Sequence, residues 1–103
     1  KGLNINAREQ REGRTPLHWA VLTKRDEVGA FLISNGAEIG AVDKFGATPL
    51  HAAAMANDVN MAKALVSKGV DLSIKTKDGQ TALDIAKKKD STEVVTFLGT
   101  LGK

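Results

Sequence analysis

The sequence predicts a mainly α fold: a solenoid of stacked helix–turn–helix units joined by short β-hairpin or turn fingers. Three observations predict it. Thr15, Thr48 and Thr81 stand 33 residues apart. Each opens a matching segment: Gly13-Arg-Thr-Pro-Leu-His-Trp-Ala20, Gly46-Ala-Thr-Pro-Leu-His-Ala-Ala53 and Gly79-Gln-Thr-Ala-Leu-Asp-Ile-Ala86. The same interval separates Gly36, Gly69 and Gly102. A fixed period of about 20 to 50 residues marks a repeat array, in which each unit buries its apolar face against its neighbours.

Each element has a local cause. Thr15 and Thr48 suit a helix N-cap, and Pro16 and Pro49 suit the first helical position, whose N–H needs no partner. A first helix is predicted from about Pro16 to Leu22, with equivalents starting at Pro49 and Ala82. It must end near Lys24, Asn57 and Asp90. Asn and Asp tolerate the left-handed turn required there; Lys24 tolerates it less well. A second helix is predicted over 26–35, 59–68 and 91–101, stopped by Gly36, Gly69 and Gly102 as C-terminal caps. Its apolar residues recur at helical spacing: Val28, Phe31 and Leu32; Met61, Ala64 and Leu65; Val94, Phe97 and Leu98. Gly29 interrupts the first of these helices, where the later copies have Ala62 and Val95. It should cost about 1 kcal/mol relative to alanine unless a neighbour packs closely there. The stretches 39–45 and 72–78 have room for a turn or hairpin and no more.

Composition bounds the rest. A chain of 103 residues with 42% hydrophobic and 26% charged residues is ordinary for one folded domain or a piece of an array, so disorder is not expected. No apolar run reaches the ~18 residues of a membrane span, no signal peptide opens the chain, and Lys1 in place of Met reads as a piece of a longer protein. With no cysteine there are no disulfides, no thiolate catalysis and no Cys-ligated zinc, and an intracellular, cytoplasmic setting is the default. The net charge of +3 is spread evenly: six basic residues against five acidic over 1–42, four against three over 43–75, five against four over 76–103. Nucleic-acid binding would call for a concentrated basic block, so none is expected.

The Thr-Pro-Leu-His-x-Ala segments at Thr15–Ala20 and Thr48–Ala53, recurring at 33 residues, resemble the ankyrin repeat. The third copy departs from that pattern with Ala82 and Asp84 in place of Pro and His. The resemblance covers essentially the whole chain. It implies that residues 1–9 are the tail of a preceding repeat or an N-terminal cap. Repeats would then occupy 10–42, 43–75 and 76–103, the last one shortened and polar through Asp84 and Lys87–Lys89, as a capping repeat should be. Ala7 lies eight residues before Thr15, whereas Ala41 lies seven before Thr48, so the first finger carries one extra residue within 8–12. Asn6 occupies the place of an asparagine that is hydroxylated in some ankyrin arrays.

Little in the chain can carry chemistry. His18 and His51 could suggest a metal pair or a base, but stacked helices lie ~8 to 10 Å apart, too far to share one metal. The resemblance gives both a structural role, bonding to Thr15 and Thr48; Thr81 is the third such cap. There is no Cys, no nucleophile elbow, no third histidine and no phosphate loop. The neighbouring carboxylates Asp26 and Glu27 suit a helix N-terminus. No enzyme activity, cofactor or metal is expected. Trp19, the only tryptophan, takes the position of Ala52 and Ile85, which is expected to face the next repeat in the core.

The resemblance also implies where a partner sits: on the concave side formed by fingers and first helices. Carried over by position, the contact residues are Arg11, Glu12, Arg14, Leu22 and Thr23; then Lys44, Phe45, Ala47, Met55 and Ala56; then Lys77, Asp78, Gln80, Lys88 and Lys89. Six are basic and two acidic, so this surface holds more positive charge than the chain as a whole. Phe45 and Met55, rimmed by Lys44, Arg14 and Lys77, have the character of an interface anchor. The expected function is a non-catalytic module docking an acidic protein or peptide with a hydrophobic anchor. The alternative is a structural or regulatory segment of a larger enzyme or membrane-traffic protein, positioning a neighbouring catalytic domain. A basic face also allows weak contact with anionic lipid headgroups, each charge adding ~1 kcal/mol, without insertion. A monomer is expected, with self-association if an apolar first-repeat face is left uncovered.

Overall fold

A computed structural model of the chain describes residues 5–101, which form six helices. These are α1 (Pro16–Leu22), α2 (Asp26–Ser34), α3 (Pro49–Ala56), α4 (Val59–Ser67), α5 (Ala82–Lys88) and α6 (Thr92–Leu101). They pair as α1 with α2, α3 with α4 and α5 with α6. Neighbouring pairs stack so that α1, α3 and α5 make one layer and α2, α4 and α6 the other. The result is elongated, 43 × 26 × 21 Å. Its core follows the stack axis, with Leu17, Val21, Leu50, Leu65 and Val94 fully buried between the layers.

The first helices start as their sequence dictates. Each threonine side chain accepts from the backbone N–H three residues on, and that residue's side chain reaches back to the threonine N–H. In the first two copies the reaching group is imidazole Nδ1 (3.1 Å for Thr15–His18, 3.0 Å for Thr48–His51). In the third it is the Asp84 carboxylate (3.0 Å). The helices end in left-handed residues, Lys24 at φ 58°, Asn57 at 53° and Asp90 at 57°. For Lys24 that conformation carries a steric penalty that Asn and Asp largely escape. Gly36 and Gly69 close α2 and α4 as expected. Gly102, expected to close α6, lies outside the described residues, as do Gly2, Leu3 and Asn4.

The fingers take the turn form of the expected turn or hairpin: among the described residues there is no β-strand. Each finger is a tight turn spanned by one backbone rung, Asp43 N–H to Ala47 O (2.9 Å) and Thr76 N–H to Gln80 O (2.8 Å), inside which the turn glycine bonds back, Gly46 N–H to Asp43 O (3.0 Å) and Gly79 N–H to Thr76 O (2.8 Å). One rung is too short a ladder to register as a hairpin. The first finger closes one residue wider, Glu9 N–H to Arg14 O (2.9 Å), which locates its extra residue. Successive fingers are joined by one backbone-to-backbone bond each, Lys44 N–H to Glu12 O and Lys77 N–H to Phe45 O, both 2.9 Å. Gly46 makes the close approach possible. A β-carbon there would lie 3.0 Å from Lys77 N, and its φ of 80° disfavours any other residue.

Trp19 is corrected by the structure. It is 43% exposed and Val28 is 48% exposed, although their counterparts Ala52, Ile85, Met61 and Val94 are buried; Phe31 is 64% exposed where its counterparts Ala64 and Phe97 are half-buried. These positions face the preceding repeat, not the following one. In repeats two and three such a neighbour covers them wholly or in part; in repeat one Trp19 and Val28 line an open apolar face with Pro16, Ala20 and Leu32, and Phe31 is exposed on the same helix as Val28.

Candidate partner-binding surface

The histidines that cap α1 and α3 also tie each repeat to the next finger. Nδ1 accepts from the threonine N–H, which leaves the proton on Nε2. Nε2 therefore donates outward, His18 to Ala47 O (2.8 Å) and His51 to Gln80 O (3.0 Å). Burial holds both imidazoles below the ordinary histidine pKa, so they are neutral at pH 7. Asp84 can build the cap but has no N–H to send onward. Asp43 shapes the second finger from inside: its Oδ1 accepts from Phe45 N–H and Ala47 N–H, both at 2.9 Å. In the wider first finger Glu9 does the same work, accepting from Arg11 N–H and Glu12 N–H at 2.8 Å.

The expected contact residues fall into distinct groups on this frame. Phe45, at the second fingertip, is 54% exposed, and Lys44, Lys77, Asp78, Lys88 and Lys89 are exposed around the same side. Ala47 is a correction. At 3% exposure it is buried, because the bond from its N–H to Asp43 and from His18 to its carbonyl pull it inward. Arg14 is half-buried and already matched within the chain. Its guanidinium pairs with Glu12 and Asp43 and lies 5.1 Å over the Trp19 ring. Leu22 is half-buried against the core, and the Lys44 ammonium donates to Gln10 O.

Met55, Gln80, Lys88 and Lys89 come together in one recess with Ile85, a residue the sequence reading had placed in the core alone. The recess is about 220 Å³, below the ~300 to 1,000 Å³ of cofactor and small-molecule sites and sized for one or two side chains. Met55 and Ile85 make its floor. Lys88 and Lys89 stand at its rim, neither with an ion-pair partner among the described residues. Phe45 does not line this recess. Among the described residues no group of three or more His, Cys, Asp or Glu side chains is placed to hold a metal, and no helix is long and apolar enough to cross a membrane.

Residues 30–102 match the family model for ankyrin repeats in three copies, and residues 12–44 match that for a single ankyrin repeat. The chain belongs to the ankyrin-repeat family. A search of curated proteins gives no match. Ankyrin repeats are in general protein–protein interaction modules and typically non-catalytic. In this ankyrin array the Thr–His caps and finger turns form the frame on which Phe45, Lys88 and Lys89 stand exposed.

Proposed function

We propose that this chain docks an acidic segment of another protein, seating one of its apolar side chains on the finger and first-helix side of the array. The observation that carries the reading is the Met55–Ile85 floor beneath the unpaired ammonium groups of Lys88 and Lys89. An apolar floor supplies affinity by burial, and cations around it select carboxylates and speed encounter. The exposed Phe45 ring extends the same side by one fingertip and gives a second anchor for a longer segment.

Selection from a random peptide display library tests this. Enriched peptides are expected to carry Asp or Glu next to Leu, Ile, Met or Phe. Their affinity is expected to fall at least tenfold with Lys88→Glu/Lys89→Glu and to weaken with Phe45→Ala, with the melting temperature unchanged. Peptides without acidic bias, or affinities that neither variant moves, would sink the reading.

A further inference from the structure

Asp26 opens α2 in the first repeat, and Asp58 caps α4 in the second. Asp58 is 5% exposed; its Oδ1 accepts from Met61 N–H at 3.2 Å. Asp26 Oδ2 accepts from the Asn60 amide at 3.3 Å. The remaining oxygens, Asp26 Oδ1 and Asp58 Oδ2, are buried and find no hydrogen-bond donor among the described residues. The two carboxyl groups are within hydrogen-bonding reach of each other, yet as carboxylates both only accept. Two buried acceptors facing one another are costly to keep apart from water.

We propose that Asp26 and Asp58 form a proton-binding site in which one shared proton bridges the joint between the first two repeats. A single O–H between the carboxyls satisfies both orphaned oxygens and removes one of the two negative charges. The arrangement belongs to this joint alone. The residues at Asp58's repeat position are Arg25 in the first copy, which makes no side-chain cap, and Ser91 in the third, whose Oγ donates to Ala54 O (2.6 Å). The charged groups acting on Asp58 are Asp26 across the joint and Lys24 in the α1–α2 turn, and the lysine only partly offsets the repulsion.

Burial and then the hydrogen bond that protonated Asp58 donates to Asp26 raise the Asp58 pKa from 3.8 to about 6. The folded chain therefore holds a proton that the unfolded chain has released between those values. The contribution of the pair to stability is full below about pH 4 and is lost as pH rises through about 6. Above that, two charges repel across the α2–α4 contact and the first repeat is held less firmly on the second. His18 and His51 act the other way. Their lowered pKa means stability lost as pH falls below 6.5, so the raw pH profile mixes both effects.

The Asp58→Asn variant separates them, because its amide can accept from Met61 N–H and donate permanently to Asp26. Denaturation midpoints of the full chain and of Asp58→Asn are compared from pH 5 to 8, with carboxyl carbon NMR titration of Asp58 in the unmodified protein. The expected result is an advantage for Asp58→Asn at pH 7.5, roughly tenfold or more in the folded-to-unfolded ratio, shrinking toward pH 5. The Asp58 resonance is expected to titrate near 6. Parallel profiles, or titration at or below 4, would overturn the proposal. So would added calcium or magnesium stabilising the unmodified protein at pH 7.5 but not the variant, which would make the pair a cation site.

Discussion

Met61 of the second repeat lies directly against Gly29 of the first: a β-carbon on Gly29 would stand 2.5 Å from Met61 Sδ. The mid-helix glycine thus makes room for the Met61 side chain at that joint. In the next joint the volumes are reversed, with Ala62 where the glycine was and Val94 where the methionine was, both fully buried.

Gly29→Ala is therefore expected to destabilise the chain by about 1 kcal/mol, since overpacking outweighs the ~1 kcal/mol of helix propensity gained. In a Met61→Ala background the same change is expected to stabilise by about that amount. A double-mutant cycle by urea denaturation measures it. Equal effects in both backgrounds would detach Gly29 from Met61.

The two functions of the capping histidine can be parted. His51→Asp copies the third repeat, keeping the cap to Thr48 N–H but losing the Nε2 bond to Gln80 O. A loss of about 1 to 2 kcal/mol is expected, against a larger loss for His51→Ala, which also leaves the Thr48 N–H without its partner. Amide exchange at the third finger is the decisive readout, and unchanged protection there in His51→Asp would assign the whole effect to the helix cap.

Trp19, Val28 and Phe31 leave an apolar end on the first repeat. Sedimentation velocity is expected to show concentration-dependent association at neutral pH, suppressed by Val28→Lys/Phe31→Lys with the monomer still folded. A concentration-independent monomer in the unmodified chain would show that Arg14 stacked on Trp19 shields the face well enough alone.

The regular part of this architecture was legible because it is local. A threonine three residues before a histidine dictates a cap, and a 33-residue interval dictates stacking, so the first helices begin where the sequence places them. Counting residues also located the wider first finger. Trp19 was misplaced because periodicity gives a face without saying which neighbour lies on it. Ala47 was misplaced because its burial comes from backbone bonds made by Asp43 and His18, invisible in its own identity. Arg14 read as a rim cation for a partner, whereas it pairs with Glu12 in its own finger and with Asp43 once two fingers stack. The Asp26–Asp58 pair escaped for a different reason: its members are 32 residues apart, one short of the period, and so occupy non-equivalent positions.

The bonds from His18 to Ala47 O and from His51 to Gln80 O end on main-chain carbonyls. Every residue type provides that acceptor at the same place. The side chains beside those carbonyls can then change from one repeat to the next without renegotiating the join, and a unit can be duplicated, deleted or exchanged with its latch intact. Such a scaffold separates the vocabulary of its surface from the grammar of its assembly, and can acquire a new partner without first learning a new fold.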